Sequence, residues 1–261
     1  MFPLQRLGAE VWAIHTVQFS NHPGHGAWTG QVYDGASVRT LVDGIAARGL
    51  LAQCDAVLSG YMGDPGIVAA VLHVVRRVRA ANPDAVYCCD PVIGDVGRGV
   101  YVRPGIPALM QDAAREADIL TPNQFELEHL TGKTIRTEAD ALAALRALPM
   151  RERGTVLVTS LSTDDTPRDA IDMLAAGPGG AWRLRTPRLP IEANGAGDAV
   201  AALFLFHMLR TQDPHAALEA AGSAIHGLLR RTAEAGSREL LTVAAQEEFV
   251  RPRDWFRAVK V

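Results

Sequence analysis

Only three of the 261 residues are cysteine, Cys54, Cys88 and Cys89, too few for a disulfide framework. Cys88 and Cys89 are adjacent in a strand-like run, so they face opposite sides of it. They read as small buried apolar residues in a reducing compartment. No apolar run approaches the roughly 20 residues that span a bilayer, and no basic-then-apolar leader opens the chain. These absences exclude a membrane span and point to the cytoplasm. Charge of neither sign is in excess: Lys plus Arg number 26 and Asp plus Glu 29, for a net charge of −3 and a pI near 6.2. Neither nucleic acid nor an anionic membrane is therefore expected as a partner. Repeats, low-complexity tracts and linkers are also lacking, which reads as one domain over residues 1–261. What is present, 48% hydrophobic and 21% charged residues, is enough for a soluble protein with a sizeable core.

Short apolar runs alternate with longer amphipathic ones. Residues 11–19, 56–58, 85–89, 118–120 and 155–159 read as strands, rich in Val, Ile and aromatics. Residues 37–47, 65–81, 106–116, 124–130 and 138–148 read as helices. Asp64-Pro65 opens the second of these and Pro83 follows its end. The alternation predicts an α/β fold with a mostly parallel central sheet and helices on both faces. Residues 171–174 and 181–184, joined across Gly177-Pro178-Gly179-Gly180, predict a hairpin added to the sheet edge. Residues 196–209, 215–232 and 242–250 predict three further helices.

The most informative stretch is Glu192-Ala193-Asn194-Gly195-Ala196-Gly197-Asp198, which leads into an apolar run from Ala201 to Leu209. Two glycines allow a tight turn and a close approach to a ligand. The free N–H groups of the following helix start make an anion site. An acid there is repelled by a bound phosphate, and makes sense if it takes a proton from a hydroxyl about to attack phosphorus. Alone, Gly-x-Gly-Asp is equally an ordinary helix start.

Other polar groups agree with the ligand reading. Ser20-Asn21-His22, Ser59-Gly60-Tyr61, Asp90-Pro91, Thr121-Pro122-Asn123 and Thr159-Ser160 each follow a predicted strand. Ligands of open α/β sheets sit outside those strand ends. Each group could be a turn or a cap by itself; in order along one edge they make a cleft. Gly132-Lys133-Thr134 is not a P-loop, because Leu127 stands at the required earlier glycine. Gly195-x-Gly197 fails as a dinucleotide fingerprint, because Val200 holds the third glycine place. His22 and His25 have no third metal ligand nearby, which leaves a packing or substrate role.

With these edges in place the chain resembles the pyridoxal kinases of the ribokinase-like superfamily along nearly its whole length. The resemblance is carried by Thr16-Val17-Gln18-Phe19-Ser20-Asn21-His22, Ser59-Gly60-Tyr61, residues 89–95 (CDPVIGD), residues 121–126 (TPNQFE) and Gly195-Ala196-Gly197-Asp198. It implies a three-layer ribokinase-like fold, ATP-dependent phosphorylation of the 5′-hydroxymethyl group of pyridoxal and related forms of vitamin B6, and a homodimer. Carried over position by position, Asp198 resembles the catalytic base, with the backbone of Gly195, Ala196 and Gly197 around the transferring phosphoryl group. Asn123 and Glu126 resemble an Asn-x-x-Glu element that orders Mg²⁺. Asp90 and Asp95 belong to the same metal and phosphate region, with Asp90 and Glu126 as the metal-side acids. Thr121, Thr159 and Ser160 would donate to ATP. Val17, Phe19, His22, Trp28 and Tyr61 would wall the pyridine ring, although Trp28 and Tyr61 would otherwise pass for core packing.

Two departures stand out. Pro23 takes the place of a common Thr after Ser-Asn-His, removing a hydroxyl and a backbone donor. Met1–Gly8 resembles the tail of a helix that in the family follows a strand and a Ser-His loop. That strand is central in the family's sheet, so its loss is expected to expose two strand edges and open the core. The recorded start is then late, or the chain is a truncated relative. The competing readings are a hydroxymethylpyrimidine or sugar kinase, and a non-catalytic pyridoxal-binding relative. Asp198 separates the last from the kinases, since a binder has no use for a base beside an anion.

Overall fold

Helical and extended segments alternate as the apolar spacing dictates. The computed structural model describes residues 1–191 and 193–261. The chain opens with α1 (Phe2–Arg6), followed by β1 (Val17–Phe19), β2 (Gly30–Val32) and α2 (Gly35–Ala47). Next come β3 (Ala56–Ser59), α3 (Pro65–Ala81), β4 (Val86–Cys89) and a small ribbon of β5 (Gly94–Asp95) and β6 (Gly99–Val100). The middle of the chain holds α4 (Ile106–Glu116), β7 (Ile119–Leu120), α5 (Gln124–Thr131), α6 (Glu138–Ala147) and β8 (Thr155–Leu161). The hairpin β9 (Ala170–Gly177) and β10 (Gly180–Pro187) precedes α7 (Ala196–Thr211), α8 (Pro214–Glu234), α9 (Glu247–Val250) and β11 (Ala258–Lys260).

The main sheet has seven strands in the order β11-β10-β9-β8-β7-β4-β3. β3, β4, β7 and β8 run parallel, and β9, β10 and β11 continue antiparallel. Parallel neighbours need long crossovers, and α3, α4, α5 and α6 supply them. The helix starts are fixed locally. Asp64 Oδ1 accepts from Gly66 N at 2.8 Å with Pro65 at the first turn, and Asp213 Oδ1 accepts from His215 N at 2.9 Å.

Two apolar cores lie on opposite faces of the sheet. One joins Cys89, Leu120, Val156 and Val158 to α3, α4, α5 and α6. The other joins Cys88, Ile119, Leu157 and Ala175 to α7, α8 and α9. The adjacent Cys88 and Cys89 thus point into different cores, as strand alternation requires, and both thiols are free. Phe204 and Leu157 are wholly buried, each worth about 1.5–3 kcal/mol in transfer out of water. Among the described residues no helix is long and apolar enough to cross a membrane.

The expected strand at residues 11–19 shrinks to β1, which pairs only with β2 in a separate antiparallel ribbon. β3 is the edge of the main sheet, so residues 11–16 find no ladder there. The seven-stranded sheet itself is continuous and ends at β3, so the open centre expected of it is not seen among the described residues. The helix expected over 242–250 is confined to α9. β2, the β5–β6 ribbon and β11 have two or three residues each, too few for a periodic signal. β11 is held from outside its own sequence, as Glu219 Oε1 accepts from Ala258 N at 3.0 Å.

Candidate active site

The strand ends, the β5–β6 ribbon, the segment after β10 and the start of α7 enclose one cleft of about 1100 Å³. Gly195 has φ +86°, a conformation that favours glycine, and it caps α7. The first bond of the turn runs from Ala199 N to Gly195 O at 3.1 Å. The N–H groups of Ala196, Gly197 and Asp198 precede it and are left for a ligand. A β-carbon on Gly197 would meet nothing within 4 Å, so this turn presents bare backbone to the cleft. Glu192, at the head of the glycine stretch, lies outside the described residues.

Asp198 is exposed where it opens onto the cleft. Desolvation by the surrounding protein pushes its carboxyl above the usual carboxylate range, and the chain's amino terminus and His22 act in the opposite direction. A base with a raised pKa and an open approach is suited to accept a proton.

The end of β4 contributes Asp90, 6% exposed, whose Oδ1 accepts from Thr121 Oγ1 at 3.2 Å. Burial, and then the charges of Glu126 and Asp198, push its pKa well up. Glu126 is buried as well. Its Oε1 accepts from Ile93 N and its Oε2 from Asn123 N, both at 2.9 Å. Asn123 Oδ1 returns a bond from Glu126 N at 2.9 Å, which completes a capping box, and Asn123 Nδ2 donates to Gly94 O at 2.8 Å. Burial outweighs those donors and brings Glu126 up to about 7. The Asn-x-x-Glu element therefore fastens α5 to the β5 ribbon, and both of its oxygens are already engaged. Asp95 is exposed, with Oδ1 accepting from Val96 N at 2.9 Å.

Among the described residues no three His, Cys, Asp or Glu side chains converge closely enough to hold a metal by themselves. Asp90, Asp95, Glu126 and Asp198 nevertheless line one cleft with oxygen donors only, and burial raises three of them. Such a set suits a hard cation that keeps its waters and is completed by phosphate oxygens.

Near the end of β8 the pairing with β9 slips between Val158 and Leu161, and Ser160 sits at φ +51°. A non-glycine residue held there costs about 1–3 kcal/mol, and the surrounding bulge turns the exposed Ser160 into the cleft beside the buried Thr159. Arg188 also lines the cleft, and its Nη2 donates to Ser162 Oγ. Arg98 lines the cleft too, and neither arginine was singled out from sequence.

On the opposite wall, Val17, Phe19, His22 and Tyr61 line the same cleft. Thr16 Oγ1 donates to Tyr61 O at 2.6 Å, holding β1 against the segment that follows β3. His22 Nδ1 accepts from Gly24 N at 3.0 Å, and Pro23 starts a single 3₁₀ turn. Trp28 departs from expectation. It does not line the cleft; its ring lies on Phe19, centroids 4.0 Å apart, and it is 41% exposed. The far end of the cleft, formed by Ile171, Met173, Thr186, Leu189, Ile225 and Leu229, is largely apolar. Sequence reasoning missed it entirely, because hairpin and mid-helix residues carry no motif.

A family model described as phosphomethylpyrimidine kinase matches residues 37–242. A pyridoxal kinase of Granulibacter bethesdensis is 60% identical over 263 residues, covering 99% of this chain and 92% of that protein. A pyridoxal kinase of Deinococcus radiodurans is 56% identical over 270 residues, covering 100% and 90% respectively. The solved structure of pyridoxal kinase from Leishmania donovani in complex with ADP and pyridoxamine superposes with a TM-score of 0.90 at 28% identity. That match covers all of this chain and 92% of that one.

Proposed function

The chain belongs to the phosphomethylpyrimidine kinase family and sits among its pyridoxal kinases, and from that premise we propose how its cleft phosphorylates pyridoxal with ATP. The observation that carries the site assignment is Asp198 in the same short turn as the bare N–H groups of Ala196 and Gly197. Asp198 takes the proton of the 5′-hydroxyl as that oxygen attacks the γ-phosphorus. The bond from γ-phosphorus to its bridging oxygen breaks, and ADP leaves with the electron pair. The helix-start N–H groups stabilise the charge that builds on the phosphoryl oxygens. Thr121, Thr159, Ser160, Asp95 and Asn123 face the nucleotide phosphates, and Arg98 and Arg188 add positive charge. Mg²⁺, held through Asp90 and water beside Glu126, would neutralise phosphate charge.

Val17, Phe19, His22 and Tyr61 flank the vitamin ring, a flat heterocycle suited to aromatic and aliphatic walls. A cleft of about 1100 Å³ has room for both reactants. The same reading makes the chain a single-domain cytoplasmic enzyme that works as a homodimer. The matching family model is described as phosphomethylpyrimidine kinase, and the second candidate substrate is hydroxymethylpyrimidine, which also carries a hydroxymethyl group on a planar ring.

A coupled assay with pyridoxal and hydroxymethylpyrimidine in parallel decides between them. Asp198→Asn is expected to lower turnover by roughly 10²–10⁴-fold with little change in ATP affinity. Equal turnover in variant and parent removes the base assignment, and preference for the pyrimidine promotes the second substrate.

A further inference from the structure

The segment from Ser20 to Thr29 carries Asn21, His22, Pro23 and Gly24 into the cleft, yet each of its residues is exposed. Among the described residues, nearly all of its hydrogen bonds close within the segment. Ser20 N donates to Thr29 O at 2.8 Å, Thr29 N to Ser20 Oγ at 3.0 Å, and Asn21 Nδ2 to Ala27 O at 3.2 Å. The exception is His25. Its Nε2 meets Glu239 Oε1, and the amide nitrogen of Asn194 lies 3.3 Å from the same ring nitrogen.

Both partners belong to the phosphate side of the site. Asn194 directly precedes Gly195, and it forms a bridge with Glu239, its N donating to Arg238 O at 3.4 Å. Glu239 is braced in turn, its N donating to Ser237 Oγ at 3.1 Å. Contact is close throughout: a β-carbon on Gly24 would stand 3.0 Å from His22 Nδ1 and 3.1 Å from Asn194 Oδ1. His25 itself does not line the cleft.

We propose that His25 is a positioning residue, a clasp that ties the loop bearing His22 to Glu239, next to Asn194, and so fixes the vitamin relative to the Gly195–Gly197 turn. The proposal rests on the kinase reading above and adds how its two half-sites are kept in register. Nε2 donates its proton to the Glu239 carboxylate, and with that proton in place it has no lone pair for the Asn194 amide, which stands beside the pair at 3.3 Å. Among the described residues the loop's other side-chain contact outside itself is Trp28 on Phe19, which joins it to β1 and not to the phosphate side, whereas the glycine turn is also held by α7 and by the Asn194–Arg238 bond. Release of the clasp therefore frees the vitamin side and leaves the nucleotide side in place.

The test uses the full chain with His25→Ala, Glu239→Ala, both together, and His25→Gln, whose amide N–H can still reach Glu239. Each single alanine variant is expected to raise the KM for pyridoxal about tenfold, with the ATP KM held within about twofold. The double variant should be no worse than either single one, and His25→Gln should recover most of the loss. An unchanged pyridoxal KM, additive losses, or an ATP KM that rises in step would each overturn the clasp. Amide hydrogen exchange over residues 20–29 supplies a readout independent of turnover. It should quicken in both alanine variants, and unchanged exchange sinks the clasp even if the parent phosphorylates nothing. A parent without kinase activity but with quickened loop exchange in the variants overturns the kinase reading and leaves the clasp standing.

Discussion

Gly60 lies so close to Asp198 that a β-carbon at residue 60 would stand 3.2 Å from the carboxylate oxygen Oδ1. The contact joins the end of β3 to the start of α7. Its β3 side is stiffened by the buried pair of Ser59 Oγ and Tyr87 Oη at 2.9 Å, and by Asp90 N donating to Ser59 O at 2.9 Å. Gly60 is not among the glycines of positive φ, so alanine suits its backbone and the added methyl presses on Asp198 alone. Gly60→Ala should therefore lower kcat by roughly 10–100-fold through misplacement of the carboxylate, with the melting temperature nearly unchanged. Steady-state kinetics beside a thermal melt checks this. A large loss of stability would show that the substitution damages the sheet end instead.

Asp90 gives a pH prediction. Burial first, then the charges of Glu126 and Asp198, hold its pKa well above the ordinary value. The folded chain keeps a proton on Asp90 at pH values where the unfolded chain has released it. The stability this proton confers is complete below the unfolded pKa of about 4 and is lost as pH rises through the folded value. Asp90→Asn never ionises, and its amide oxygen still accepts from Thr121. The melting temperature of Asp90→Asn should gain on that of the parent as pH is raised from about 5 to about 8, measured without nucleotide or metal. A difference that stays constant with pH would mean that Asp90 ionises normally in the fold.

Legibility followed locality. The bounds of α3 and α4 were readable because Asp64-Pro65 and amphipathic spacing act within a few residues. The turn at Gly195–Asp198 was readable because anion binding at a helix start needs glycine and free N–H groups in sequence. Residues 11–16 were misread because a strand requires a ladder, and the pairing with β2 covers only Val17–Phe19. The apolar end of the cleft was invisible, since register alone brings Ile171 and Met173 of β9 beside Leu229 of α8. The role of Glu126 was half legible: its place at a helix start was clear, but not that both oxygens are spent on backbone donors.

The two engaged oxygens of Glu126 set the outcome of Glu126→Gln. The new amide nitrogen would face a backbone N–H, of Ile93 or of Asn123, leaving a buried donor without an acceptor. Urea unfolding should show a loss of about 1–3 kcal/mol. Loss of the charge should also raise the magnesium needed for half-maximal rate. An unshifted magnesium requirement would confine Glu126 to bracing the helix start.

The walls of the vitamin pocket supply the last test. Phe19 and Tyr61 line the cleft, while Trp28 stacks on Phe19 from outside it with 41% of its surface exposed. Loss of either lining ring removes apolar contact from the ligand directly, worth about 1–3 kcal/mol. Trp28 can act only by holding Phe19 in place, because its own ring does not reach the cavity. Phe19→Ala and Tyr61→Ala should each weaken pyridoxal binding by that amount, with Trp28→Ala costing clearly less. Once Phe19 is gone, removing Trp28 should add little, since the residue it supports is no longer there. Binding titrations with pyridoxal, with ATP as the control ligand, separate the cases. A Trp28→Ala loss as large as that of Phe19→Ala, and additive with it, would place the tryptophan in contact with the vitamin and require the loop to fold inward when substrate binds.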